Sequence, residues 1–138
     1  MTIRVMIVDD HSDTARIISA FLTRAGYRAI PVNDVSSALE AVGETKPDVI
    51  ITDLMMPYQS GLDLLHDVRN DPRTRDLPVI VYSAVSEQRY IDEAMNAGAT
   101  DFWLKGALTA ADLRTRLAAY LPPQGWAESV DAHQRLQN

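Results

Sequence analysis

The chain has 138 residues, 46% of them hydrophobic and 23% charged, with no cysteine and a formal net charge of −6. That length suits one domain with a proper core, and the missing cysteines exclude a disulfide framework, thiolate chemistry and a Cys-based metal site. The acidic balance argues against direct nucleic-acid binding through a broad positive surface. No stretch approaches the roughly 18 apolar residues of a membrane span, and no signal peptide is apparent at Met1-Thr2-Ile3-Arg4. A cytoplasmic location without membrane insertion is therefore the expectation.

Residues 3–8 predict a buried strand that ends on Asp9-Asp10. Ser12 or Asp13 can cap the following helix, which carries Ile17, Ile18, Phe21, Leu22 and Ala25 on one face and stops at Gly26. Residues 27–32 predict a short second strand, placed at a sheet edge by Pro31. Asn33 or Asp34 opens a helix with Val35, Ala38, Leu39 and Val42 at i, i+3, i+4 and i+7. Lys46-Pro47-Asp48 then turns the chain into Val49-Ile50-Ile51-Thr52-Asp53. This apolar, β-branched run suits a strand covered on both faces, and Pro57 cannot continue a central ladder.

Residues 58–61 read as loop, and Leu62, Leu65 and Val68 as the inward positions of a third helix stopped near Asn70-Asp71-Pro72. Residues 77–82 predict the fourth strand, ending on Ser83. Ser86 can cap a helix with Ile91, Ala94 and Met95 inward, terminated by Gly98. Residues 100–104 predict a fifth strand ending on Lys105. Thr109-Ala110-Ala111-Asp112 has the form of a capping box for a last helix, with Leu113, Leu117 and Tyr120 inward. Strand and helix thus alternate five times over about 120 residues, which implies an α/β fold: a parallel sheet with helices on both faces. Pro122-Pro123-Gln124-Gly125 ends the last helix. Residues 122–138 are expected to be a short tail, either a helical turn packed through Trp126 and Val130 or frayed.

In a parallel sheet the carboxyl ends of the strands lie on one edge, where open α/β sheets place their chemistry. Asp9, Asp10, Asp53, Ser83 and Lys105 all fall there. Singly, each has an ordinary reading: the acidic pair as a helix cap, Ser83 as a turn hydroxyl, Lys105 as a surface charge. Together they point to chemistry. Three adjacent carboxylates repel and raise one another's pKa, and a hard divalent cation such as Mg²⁺ relieves that. Such a cation invites a phosphoryl group, whose remaining oxygens suit a lysine and a hydroxyl, and aspartate is a covalent acceptor of phosphoryl groups. The sequence holds no nucleophile elbow, glycine-rich phosphate loop or HExxH motif, and His11, His66 and His133 form no ligand cluster.

From residue 3 to about residue 121 the sequence resembles a receiver domain of a two-component response regulator, of the stand-alone, chemotaxis-regulator-like kind. The features are Asp9-Asp10, the run Asp53-Leu54-Met55-Met56-Pro57 with Gly61 eight residues after Asp53, Tyr82-Ser83-Ala84, and residues 98–105 up to Lys105. The resemblance implies a doubly wound, flavodoxin-like (βα)5 fold with sheet order 2-1-3-4-5. It implies Asp53 as phosphoacceptor from a histidine kinase or histidine phosphotransfer protein. Asp10, Asp53 and the backbone carbonyl of Met55 would bind Mg²⁺ directly, and Asp9 largely through water. Ser83 and Lys105 would hold the phosphoryl oxygens, with Ser83 and Phe102 forming a switch that changes partner binding, including homodimerisation, on the helix 4/strand 5/helix 5 face. Catalysis would be limited to the chain's own phosphorylation and dephosphorylation. One departure is Gly106, where receivers usually follow the lysine with proline. Two other classes stay open: a phosphohydrolase with an aspartyl-phosphate intermediate, against which Met55 stands where such enzymes use a second aspartate, and an interaction module that does not use phosphorylation.

Overall fold

A computed structural model describes residues 2–56, 58–106 and 108–121 of the chain. The expectations for Pro57 and for the tail, with Trp126 and Val130, fall outside the described residues. Strands β1 (Arg4–Val8), β2 (Arg28–Val32), β3 (Val49–Asp53), β4 (Val79–Ser83) and β5 (Asp101–Leu104) alternate with helices α1 (Ser12–Arg24), α2 (Val35–Thr45), α3 (Gly61–Asn70), α4 (Gln88–Asn96) and α5 (Ala110–Ala118). All strand pairs are parallel, in the order β2-β1-β3-β4-β5. This is the flavodoxin-like arrangement expected from the sequence. No helix among the described residues is long and apolar enough to cross a membrane.

Alternate side chains of a strand face opposite sides of a sheet, and here they feed two cores. Val5, Ile7, Val49, Ile51, Ile80, Tyr82 and Trp103 pack with Ile18 and Leu22 of α1 and Leu113 and Leu117 of α5. Met6, Val8, Ile50, Val79 and Val81 pack on the other face with α2, α3 and α4 through Val35, Ala38, Leu64, Leu65, Val68 and Ala94. Every residue of β3 and β4 is buried, which is why those strands read as unbroken apolar runs.

Asp34 caps α2 by accepting from the Ser37 N–H at 2.7 Å, and Thr109 with Asp112 forms a full capping box on α5. Two other expected caps are not made. Helix α1 starts after His11 and α4 after Glu87, neither with a side-chain cap, so Ser12, Asp13 and Ser86 do not serve. At α1 the preceding aspartate takes over, since Asp9 Oδ1 accepts from the His11 N–H at 2.9 Å. Gly61 is the first residue of α3 rather than loop, behind a capping box of Ser60 and Asp63. Leu64 joins Leu65 and Val68 in the core, while Met95 is 42% exposed because α4 buries only Ala94 fully.

Candidate functional site

The buried β1 and β3 deliver Asp9 and Asp53 to the same edge of the sheet. Asp9 is fully buried and Asp53 is 5% exposed. Lys105, just past β5, reaches back between them: its Nζ lies 3.1 Å from Asp9 Oδ2 and 3.0 Å from Asp53 Oδ2. Gly106, in the left-handed region at φ 83°, turns the chain directly after the lysine. The glycine in place of proline therefore leaves the lysine at the carboxylates.

Asp9 is held by more donors than any other group of the site. The Tyr82 hydroxyl donates to its Oδ2 at 2.5 Å, beside Lys105, and its Oδ1 accepts the His11 N–H. Burial alone would raise its pKa, but these donors outweigh burial and hold the carboxyl below the usual carboxylate range. Asp53 moves the other way: burial pushes it up, Lys105 and the Met55 N–H offset this only in part, and the Asp9 charge adds to the rise. Burial and the hydrogen bond to Asp9 likewise push Tyr82 far above the ordinary phenol range, so it stays a donor.

Asp10 is half-buried, and its Oδ1 is buried without a hydrogen-bond partner among the described residues. His11 Nδ1 approaches Asp9 Oδ1 to 3.4 Å and Asp10 Oδ1 to 3.3 Å, neither as an aligned hydrogen bond. Asp9, Asp10, His11 and Asp53 each present a ligand atom within 4.8 Å of the others. A buried carboxylate oxygen with no hydrogen-bond partner among the described residues, in a cluster of three carboxylates, fits a hard divalent cation. Met55 lies in the loop after β3 and is 49% exposed. That loop carries Tyr58 at φ 70° and is tied down by the Ser60–Asp63 box, in which Ser60 N–H donates to Asp63 Oδ2 at 2.8 Å.

The structure thus brings Asp9, Asp10, Asp53 and Lys105 together. Ser83 ends β4 at the same edge of the sheet, and its Oγ accepts from the Val85 N–H at 3.0 Å. Phe102 is half-buried, level with Val81 in the register and packed on the α2/α3/α4 side. Two members of the site were missed in the sequence. His11 stands with the acidic residues although it forms no cluster with other histidines, and its place next to Asp10 was the available signal. Tyr82 enters the sequence reading as a strand residue and as part of the Tyr82-Ser83-Ala84 feature but with no role in the site, although a tyrosine in an aliphatic run needs a partner for its hydroxyl.

Comparison with known proteins agrees with this arrangement. The family model for the response regulator receiver domain matches residues 5–118. The chain is 36% identical over 104 residues to the chemotaxis protein CheY of Thermotoga maritima, covering 74% of this chain and 84% of that protein. It is 30% identical over 125 residues to the phosphate regulon transcriptional regulatory protein PhoB of Pseudomonas aeruginosa, covering 91% of this chain but only 54% of that protein. The chain therefore spans about half the length of that relative. The structure of Vibrio cholerae chemotaxis protein CheY4 superposes with a TM-score of 0.82 at 26% identity, over 88% of this chain and 100% of that one. A receiver model that matches nearly the whole described chain, on a fold whose sheet edge gathers these acidic residues and the lysine, makes this protein a member of the response regulator receiver domain family.

Proposed function

We propose that this chain is a phosphorylation-dependent switch that takes a phosphoryl group on Asp53 from a phosphohistidine of a sensor kinase or phosphotransfer protein, with Mg²⁺. The observation that carries the reading is Lys105, held 3.0 Å from Asp53 at a cluster in which Asp10 Oδ1 has no hydrogen-bond partner among the described residues. In this reading residues 1–121 are the receiver unit, 122–138 a short tail, and the setting is the cytoplasm. Asp10, Asp53 and the Met55 carbonyl would hold the ion directly, and Asp9 would act through water. A bound Mg²⁺ supplies charge neutralisation for the carboxylates and the incoming phosphoryl oxygens.

An Asp53 oxygen forms a P–O bond while the P–N bond to the donor imidazole breaks, the electron pair leaving with the nitrogen. Lys105 already sits where the phosphoryl charge arrives. Positioning and charge stabilisation carry most of the catalysis in such transfers, so a small acyl phosphate is expected to serve as donor. Intact-mass measurement should show one phosphoryl group gained with acetyl phosphate and Mg²⁺, and none in EDTA. A gain undiminished by EDTA removes the metal from the mechanism. The same chain is no turnover enzyme in this reading, since its own carboxylate is the substrate.

The output is a change on the face formed by α4, β5 and α5. Ser83 Oγ accepts the Val85 N–H, so its O–H can still donate to a phosphoryl oxygen, a charged hydrogen bond that contributes about 1.5–3 kcal/mol. A move of Ser83 toward the phosphoryl group opens space behind it into which half-buried Phe102 can turn. Unlike tyrosine, Phe102 has no hydroxyl to leave unpaired, so apolar area favours the inward ring. Met95 at 42% and Leu104 at 39% exposure already give this face an apolar character suited to a partner or a second copy. With beryllofluoride standing in for the phosphoryl group, NMR shifts are expected at Phe102 and through α4 and α5. Shifts confined to residues 53–60 would leave a phosphate acceptor without this switch.

A further inference from the structure

We infer that Tyr82 is a positioning residue of this site, one that secures Asp9 so that Lys105 is free to turn to the phosphoryl group. The inference rests on the phosphoacceptor reading of Asp53 and extends it to a residue outside the acidic set. Three observations support it. The Tyr82 side chain is 1% exposed and wedged in the α1/α5 core, so its hydroxyl is aimed before any ligand arrives. That hydroxyl donates at 2.5 Å to the Asp9 oxygen that Lys105 also binds, at 3.1 Å. Finally, Lys105 Nζ lies 4.7 Å from the centre of the Tyr82 ring, whose face can steady a cation as it moves.

The consequence follows from charge burial. Asp9 is fully buried, and stripping such a carboxylate of its donors is costly. When Lys105 turns to a phosphoryl oxygen, Asp9 Oδ2 loses its cationic partner. The Tyr82 hydroxyl, which cannot leave, still satisfies that oxygen, and the His11 N–H satisfies the other. Without the hydroxyl, Lys105 would be the sole donor to Oδ2 among the described residues and would be retained on Asp9. A tyrosine serving the core alone would need only some acceptor for its hydroxyl, and its loss would lower thermal stability without touching the lysine.

Tyr82→Phe keeps the ring and removes only the donor. Titration calorimetry of beryllofluoride at saturating Mg²⁺ is expected to show affinity reduced about tenfold, the scale of one hydrogen bond to a charged group. The same substitution in a Lys105→Gln background is expected to change affinity less than about twofold, because no cationic side chain is left to be released. Wild-type affinity in Tyr82→Phe, or an equal loss in both backgrounds, overturns the inference while leaving Asp53 as phosphoacceptor. Failure of the wild-type protein to take beryllofluoride overturns the phosphoacceptor reading itself, and the role of Tyr82 with it.

Discussion

Replacing Asp53 with asparagine is expected to abolish phosphoryl uptake outright, with no mass gain from acetyl phosphate and Mg²⁺ under conditions that label the wild-type protein fully. Asparagine keeps the size and shape of the side chain, so β3 and its loop stay in place. It loses the anionic oxygen that attacks phosphorus and one of the carboxylates proposed to bind the ion. Equal labelling of the two proteins would place the acceptor elsewhere. The same substitution is expected to leave stability at neutral pH unchanged or improved. Folding raises the Asp53 pKa, chiefly by burial, so the folded chain holds that proton more tightly than the unfolded one. By linkage, the contribution of Asp53 to stability falls as pH rises from the unfolded value through the raised one. At neutral pH its charge therefore opposes folding, and asparagine removes that charge. Lys105 keeps Asp9 as its partner. An inactive variant that melts at or above the wild-type temperature would separate the chemical role of Asp53 from any structural one.

Gly61→Ala is expected to destabilise the fold by about 3 kcal/mol, at the upper end for overpacking, or roughly 10 °C in melting temperature for a domain of this size. The reason is space. A Cβ at this position would stand 2.2 Å from the carbonyl oxygen of Asp53 and 3.3 Å from Leu54 Cα. Both are backbone atoms at the end of a central strand, and Gly61 N–H is tied to the Leu54 carbonyl at 2.8 Å, so neither side gives way cheaply. Whatever shift occurs moves Asp53, so the labelling rate should fall along with stability. Gly43 is the internal control. It lies within α2 and a Cβ there meets nothing within 4 Å, so Gly43→Ala should stabilise by about 0.5–1 kcal/mol through helix propensity. Equal melting temperatures for Gly61→Ala and wild type would refute the packing account.

What could be read from the chain alone was whatever depends on local pattern and on parallel topology. Val49-Ile50-Ile51 needs cover on both faces, so β3 had to be central. Alternation of strands and helices makes a parallel sheet, and a parallel sheet puts Asp9, Asp53, Ser83 and Lys105 on one edge whatever their separation in sequence. Asp34 and Thr109 were legible as caps because each is followed closely by the helix that needs it. Ser12 and Ser86 looked equally suitable and were passed over, since where a helix begins also depends on how the preceding loop leaves the sheet.

The geometry within that edge required the tertiary structure. Strand periodicity assigns a residue to a face but does not say how far its side chain reaches. Tyr82 belongs to the α1/α5 core by its place in β4, and only the β3–β4 register, with Asp53 opposite Tyr82, and the adjacent β1 bring its hydroxyl to Asp9. Ser83 arrives at the right edge but satisfies the Val85 N–H, a choice made by the turn that follows it. Gly61 carries no side chain to announce its role; what matters there is the Asp53 carbonyl standing where a methyl group would go. Residue type and spacing determine which groups can meet, while strand register and the path of the loops determine which atoms bond, because a hydrogen bond or a steric clash is decided over about an ångström.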